Sequence, residues 1–373
     1  MARFDRYLLS QLLWLFGFFA LVLVAVFWIN RAVQLFDRLI GDGQSALVFL
    51  EFTILGLPRL IVTVLPIATF AATIYVINRL NNESELTVMS ATGSSPWRLA
   101  RPVALFGLIS ALMMSVLAHD LVPRSMAQLA EREREISQNV TARLLQDGTF
   151  LNPVPGVTFY TREIGDDGIL RDVFVADRRD PAQGMIYTAA ESYLVREGEL
   201  ASLIMVDGLA QRLTPEDLRL STAKFQDFSF DITSLVRGDV DVTQSIASTG
   251  TLELIALQSS LVADGVAPGA LAEEIHTRFA RAAFCFVTAL IAFSTLLVGG
   301  YSRFGVWREI VIAFVLLLLL DGARSTLSAP VLATPQLWPI LYAPAATGAL
   351  ISTVLLWVAA RPALFRRRMR GTA

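Results

Sequence analysis

Four small groups of side chains in this sequence have the types and spacing to do chemistry. Glu83 and Glu85 lie two residues apart in the polar stretch NNESELTVMSATGSSPWRLARP, residues 81–102. Arg31 and Arg38 follow the first apolar run, Asp321 and Arg324 stand three apart inside another, and His276 and Arg278 precede a third. Carboxylates at a helix start cap that helix or meet the arginine of a partner protein. Arginines suit phosphate oxygens, because the planar guanidinium presents parallel donors. None of this is catalytic machinery. Lys224, the only lysine, sits in TAKFQ, so there is no phosphate-binding GxxxxGK[ST] loop. Zinc-protease and G-x-S-x-G signatures are absent as well. Cys285 is the only cysteine, and His119 and His276, far apart, are the only histidines. An intrachain disulfide, a thiolate cluster and a multi-histidine metal site are therefore excluded within one chain. No catalytic residue, cofactor or metal is expected.

The elements that must position these groups are mostly apolar. Of 373 residues 54% are hydrophobic and 17% charged, with a mean hydropathy of +0.55, which points to a multi-span membrane protein. The net charge of −2 gives no reason to expect nucleic acid. Residues 8–29 are long enough to cross a bilayer, which takes about 20 helical residues. Arg3 and Arg6 ahead of them imitate a signal peptide, but the run is long for one. It also ends in Phe27-Trp28-Ile29 rather than small residues, so it is read as a retained first span. Residues 46–77, interrupted by Glu51, Pro58, Arg59 and Pro66, predict an interfacial segment and then a second span from about Pro58. Further spans are predicted at residues 102–122, 279–298, 306–327 and 337–359.

Between the third and fourth spans no run could cross a membrane. MAQLAEREREIS gives way to short alternating segments, VTFYTRE and LRDVFVAD around the turn IGDDGI, then MIYTAA, SYLVRE, ASLIMVDG and AKFQDFSFDI. This predicts an all-β domain of roughly eight short strands, a sandwich or jelly roll, followed by a helical return at residues 251–261. Its inward residues would make either a filled core or an open trough for acyl chains. The predicted division is residues 1–122 for three spans, 123–268 for the β domain with helical connectors, and 269–373 for three spans and a basic tail. Arg3, Arg6, Arg79, Arg98, Arg101, Arg303, Arg308 and the tail arginines then fall on one side, while the connection SAPVLATPQLWP on the other is uncharged. That is the positive-inside pattern, with both termini cytoplasmic and the β domain outside.

The polar stretch accordingly lies inside. Asn82 with Glu85 three residues on has capping-box spacing, Leu86, Met89 and Ser90 share a face, and Gly93 is a natural stop. Ser95-Pro96 restarts the chain as the next helix. Two readings stand: a solvated loop with capping glutamates, or a docking helix for a separate ATPase.

RLNNESELTVMSATGSSPW after a proline-marked second span resembles the coupling-helix region of the lipopolysaccharide export permeases, the LptF/LptG family. EEIHTRFA is similar to that family's segment leading into the fourth span, and the three-plus-three layout around a β domain matches too, so the resemblance covers essentially the whole chain. ESELTVM and FYTREIGDDGILRDVFVADRRDP look more like the LptF branch, whereas GGYSRFGVWRE departs from the more basic turn expected between spans four and five. The resemblance implies an α-helical inner-membrane protein with six transmembrane helices and an inserted periplasmic β jelly roll. It implies the non-catalytic permease subunit of an ABC-type exporter that extracts lipopolysaccharide and passes it to a periplasmic bridge. The implied partners are a paralogous LptG-like permease, a cytoplasmic LptB-like ATPase dimer and an LptC-like bridge protein. The family's coupling glutamate maps onto Glu85, with Glu83 the weaker candidate; Leu86 and Met89 would fill an ATPase groove, and Gly93 would end the helix.

Arg31 and Arg38 are read either as interfacial residues pairing with Asp37 and Asp42 or as contacts to lipid A phosphates. Asp321 and Arg324 are a structural pair or part of a cavity wall, with Arg324 carried as a substrate candidate. His276 and Arg278 are substrate contacts or hinge residues. The alternative function is an ABC-like mechanotransmitter that moves its outer domain without carrying lipid.

Overall fold

The structure is a computed structural model. It describes residues 3–41, 46–143, 148–154, 156–165, 168–179, 184–197, 200–214, 219–232, 246–263, 265–299 and 306–361. Six helices are long and apolar enough to cross a membrane. Helix α1 is Arg3–Gly41, α2 Ala46–Asn82, and α3 is the short helix Glu85–Ala91. Then α4, Pro96–Val116, passes through a π-helical turn at Leu117–Leu121 into α5, Val122–Arg143. After six strands come the short helices α6, Thr251–Ala256, and α7, Gln258–Ala263. The chain ends with α8, Pro268–Val298, α9, Trp307–Thr326, α10, Ser328–Ala333, a 3-10 turn Pro335–Tyr342, and α11, Ala343–Ala359. The architecture is a helical membrane protein with an inserted β domain.

Two compact units are present, one of residues Met1–Leu129 with Val242–Ala373 and one of Ala130–Asp241. Residues 123–129 and 242–268, the flanks of the expected β domain, thus group with the helices. In the helical unit α8 is central and packs on α2, α4, α9 and α11. Small residues permit the close approach that replaces a hydrophobic driving force in lipid. A Cβ on Gly107 of α4 would come to 2.9 Å from the Phe286 carbonyl oxygen, and one on Gly348 of α11 to 2.6 Å from the Val287 side chain. The enclosed core includes Phe106, Phe284, Phe293, Leu65, Ile77 and Leu80.

Helix α2 differs from its expectation. It runs unbroken through Pro58 and Pro66, where an interfacial segment and a separate span were expected. Each proline removes one N–H from the ladder, but neither is followed by glycine or a turn residue that would end the helix. The hydroxyls of Thr63, Thr69 and Thr73 bond back to carbonyls one turn earlier, so these polar side chains are satisfied within the helix itself.

The β unit is one antiparallel sheet of β1 Phe150–Val154, β2 Val157–Ile164, β3 Leu170–Asp177, β4 Gly184–Glu197, β5 Leu200–Thr214 and β6 Arg219–Asp231, paired in sequence order. Among the described residues six strands, up to 15 residues long, stand where roughly eight short ones were expected, because MIYTAA and SYLVRE join through Glu191, a residue with no turn chemistry. The sheet is strongly coiled. Tyr187 stacks on Phe228 at 5.0 Å, yet Phe228 pairs with Met205, which pairs with Ser192, five residues along β4. In a flat sheet those five residues alone would separate the rings by roughly 17 Å. Val157, Phe159, Val173, Val175, Leu203, Met205 and Phe230 fill the inside as one buried cluster, so the inward face is a core among the described residues.

Asp172 and Asp207 take positive φ, 50° and 51°, in mid-strand, where aspartate tolerates the left-handed region better than branched residues. Beside Asp207, Gly208 leaves room for the Phe225 ring of the paired strand: a Cβ there would overlap that ring and the Thr188 carbonyl oxygen. Gly208→Ala is expected to destabilise the β unit by about 1–3 kcal/mol through overpacking. The thermal midpoint of the purified protein checks this, against Gly184→Ala in β4 as the control without crowding or a positive φ.

Candidate functional site

Two sets of residues form the site, one at each end of the helical unit. At the end where α2 stops and α4 begins, α3 makes a two-turn cross-piece. Asn82 does not cap it: α2 continues to Asn82, and Ser84, at φ 63°, occupies the cap position without a side-chain cap bond. Glu83 pulls back instead, taking the Arg79 Nε–H at 2.9 Å and extending the preceding helix. The far end agrees with expectation. Gly93, φ 87°, donates to the Ser90 carbonyl and Ser94 to that of Met89, a Schellman ending. Ser95 Oγ then accepts the Arg98 N–H at 3.2 Å with Pro96 first in α4.

The two glutamates are therefore unequal. Glu83 is paired within its own chain, whereas among the described residues Glu85 has only a long 3.5 Å contact from the Tyr7 hydroxyl. Leu86, expected to reach into a partner, is 5% exposed and sits in the bundle core, with Met89 packed partly buried against that core. They anchor α3. The more apolar face of an amphipathic helix turns to its own core. What α3 presents outward is Thr87 and Val88, the latter 59% exposed, with Glu85 half-exposed beside them. Sequence reasoning missed Val88, although its offset from the Leu86–Met89 face was available. Nearby, Arg98 pairs with the buried Asp5 at 3.2 Å, tying the start of α1 to the start of α4.

Arginine gathers at the other end of the spans. Arg324 Nη2 donates to Asp321 Oδ1 at 2.8 Å and its guanidinium carbon lies 5.4 Å over the Phe284 ring, while its buried Nε has no partner among the described residues. Arg281 of α8 is within electrostatic reach of Arg324, Arg59, Glu273 and Glu274. Both acids are engaged elsewhere: Glu273 accepts from Thr277 and Ser328, and Glu274 from Arg278. At 1.5 Å per residue, Arg281 and Arg324 each lie roughly 26 Å, and Arg59 roughly 35 Å, from the α3 end of their helices. Across a hydrocarbon core of about 30 Å that is the far headgroup boundary. From sequence Arg59 was noted only as a break in the second apolar run, and Arg281, three residues after Arg278, was not noted as a site residue.

The remaining expected contacts divide. Arg31 is exposed, while the side chain of Arg38 lies outside the described residues, as do most of the turn GGYSRFGVWRE and the last arginines of the tail. His276 is half-buried: its ring stacks on Trp338 at 4.2 Å and Nδ1 lies 3.2 Å from the Tyr342 hydroxyl. Arg278 is 2% exposed and bonded within the chain, so lipid phosphate has no access to it. Its guanidinium is saturated by local acceptors, which a sequence does not display. Among the described residues no group of histidine, cysteine or acidic side chains could hold a metal.

Comparison with known proteins adds three similarities. The family model for the lipopolysaccharide export system permeases LptF/LptG matches residues 6–359. An uncharacterised protein of Rickettsia prowazekii (strain Madrid E) is 23% identical over 211 residues, 57% of this chain and 58% of that one. The lipopolysaccharide export system permease protein LptF of Escherichia coli (strain K12) is 25% identical over 158 residues, 42% of this chain and 43% of that one. The matched part thus spans about half the length of these relatives.

Proposed function

This chain belongs to the LptF/LptG family of lipopolysaccharide export permeases, and we propose that it is the LptF-like subunit carrying lipopolysaccharide out of the inner membrane. It is a multi-pass inner-membrane protein and not itself a catalyst of the driving reaction. In this reading the α3 end is cytoplasmic and docks a separate ATPase through Glu85 and Val88. The β unit is periplasmic and hands lipid to a bridge protein, and a paralogous permease completes the cavity.

The observation that carries the substrate side is that Arg59 and Arg324, on two other spans, both act electrostatically on Arg281 towards the end of the spans away from α3, with Glu274 and Asp321 already paired to Arg278 and Arg324. Arg324 is paired with Asp321, whereas Arg59 and Arg281 have no ion pair among the described residues, and basic groups at membrane depth face protein or water rather than lipid tails. Phosphate groups of an anionic glycolipid answer that need, each with charge-assisted bonds.

The test is a photo-crosslinking residue at exposed Ser325, beside Arg324, in the chain co-expressed with its partners. ATP-dependent adducts with lipopolysaccharide are expected, and Arg281→Gln together with Arg59→Gln should lower their yield roughly tenfold, the scale of one charge-assisted hydrogen bond. Adduct yield unchanged by both substitutions removes the arginines from the substrate path. No adduct at all, with ATP still hydrolysed, supports the mechanotransmitter instead.

A further inference from the structure

The inserted β unit joins the helical unit through two legs. The entering leg is the continuous path from α4 through the π-turn into α5, and the leaving leg is the segment at residues 246–256. In the π-turn Val122 N–H reaches back five residues to the Leu117 carbonyl. The added residue re-aims the side chains that follow, a local adjustment found often where a helix carries a task. Here it carries His119. Its ring packs 4.4 Å from that of Phe279 on α8, and its Nδ1 lies 2.9 Å from the Thr251 hydroxyl on the leaving leg.

Arg278, on α8, holds the same hydroxyl from the other side, with Nη1 2.8 Å from Thr251 Oγ1. Its other donors go to the Glu274 carboxylate at 2.8 Å and to the carbonyls of Thr249, Ile246 and Ala247 at 3.0, 3.3 and 3.4 Å. A guanidinium has five N–H donors, and all five are used here. Three are spent on backbone carbonyls of the leaving leg. Ile246, Leu254, Leu271 and Ile275 close a small apolar cluster around them, so the leg is seated by packing as well.

We infer that His119, Thr251 and Arg278 form a yoke that fastens both legs of the β unit to the outer end of the fourth span. The Thr251 hydroxyl is the shared point: it accepts from Arg278 and bonds His119, so neither leg shifts on α8 without breaking a bond to the other. Arg278 is a positioning residue in this arrangement, acting on the legs and not on lipid. Rotation or translation of α8 would then move both connecting segments at once. This last step rests on the transport reading above; the yoke itself does not.

The test uses the full chain assembled with its partners, carrying spin labels at the exposed positions Leu121 and Leu252, one on each leg. The unmodified junction should give one narrow distance distribution. Thr251→Val, which keeps shape and removes the shared hydroxyl, and Arg278→Gln should each broaden it, while Arg278→Lys, with three donors, should fall between. Distributions as narrow as the parent's in both Thr251→Val and Arg278→Gln would overturn the yoke, whatever became of transport. Lipopolysaccharide release and ATP hydrolysis are then measured on Thr251→Val. Broadened distances with hydrolysis retained and release reduced several-fold place the yoke in the coupling path. Broadened distances with release unchanged overturn that role and leave only a structural tie. Failure of the Ser325 crosslink, by contrast, would refute the lipid path without narrowing or broadening these distances.

Discussion

Glu85→Arg is expected to abolish ATP-driven export while the chain still inserts, folds and binds its partner permease. The effect should be large because Glu85 is half-exposed on α3 and, among the described residues, is held by the long Tyr7 contact alone. Meeting an ATPase arginine there, it would supply both attraction and register. Truncating one member of a buried interfacial charge pair commonly costs about 2–5 kcal/mol, and reversal adds repulsion to that loss. Glu85→Ala should accordingly weaken ATPase co-purification by a smaller margin. Two controls separate docking from folding. Glu83→Gln removes a half-exposed ion pair to Arg79, whose value is about 0–1 kcal/mol, and should leave export nearly intact. Leu86→Ala empties a core site, costing about 2–5 kcal/mol of stability, and should lower the thermal midpoint as well as docking. Val88→Asp should weaken docking with the midpoint unchanged, since Val88 is mostly exposed. Normal export and normal ATPase retention by Glu85→Arg would sink the coupling assignment.

The pattern of what could be read beforehand follows from where each determinant resides. The spans were legible because twenty apolar residues in a row have one solution in a bilayer. Gly93 and Ser95-Pro96 were legible because their preference is local: a positive φ and a missing N–H need no distant partner. Asn82 misled for the complementary reason. Its capping spacing competed with an Arg79–Glu83 pair one turn back, which kept α2 helical past the expected boundary. Arg278 and His276 were recognisable as unusual residues, but their partners, Thr249, Thr251 and Tyr342, lie 29, 27 and 66 residues away. The Leu86–Met89 stripe was seen correctly as one face; its direction was not, because a face that can fill a partner's groove can equally fill its own core. Arg281 shows the same limit from the other side. Alone in FARAAF it reads as one charge in a helix, and only the packing of α2, α8 and α9 brings Arg59 and Arg324 near it.

Gly269→Val should be the most damaging single change outside the two sites, because it strikes backbone rather than side chain. Gly269 lies in the first turn of α8, where a Cβ would overlap the Leu332 carbonyl oxygen of α10 and press on that of Val331. Neither atom can rotate away as a side chain would, so α8 and α10 must separate. Separation would open the cluster of Ala272, Ala280, Val331 and Leu341 and break the 2.9 Å bond from the Ser328 hydroxyl to Glu273. The His276–Trp338 stack, at 4.2 Å, spans the same seam and would go with it. Overpacking a tight core typically costs about 1–3 kcal/mol, and more where the backbone has to move. Val is the stringent choice because its branched Cβ also restricts the rotamers that might avoid contact. Gly56→Ala and Gly17→Ala are the matched controls: a Cβ meets nothing within 4 Å at either, and alanine favours a helix over glycine by about 1 kcal/mol. Thermal unfolding in detergent should therefore order the variants with Gly269→Val far below the parent and both controls at or above it. Gly269→Val unfolding at the parent's temperature would mean that α8 and α10 are not in contact at this seam. The seam also seats the end of α8 that carries Arg278, so the same variant should lose the narrow Leu121–Leu252 distance without any change to the yoke residues.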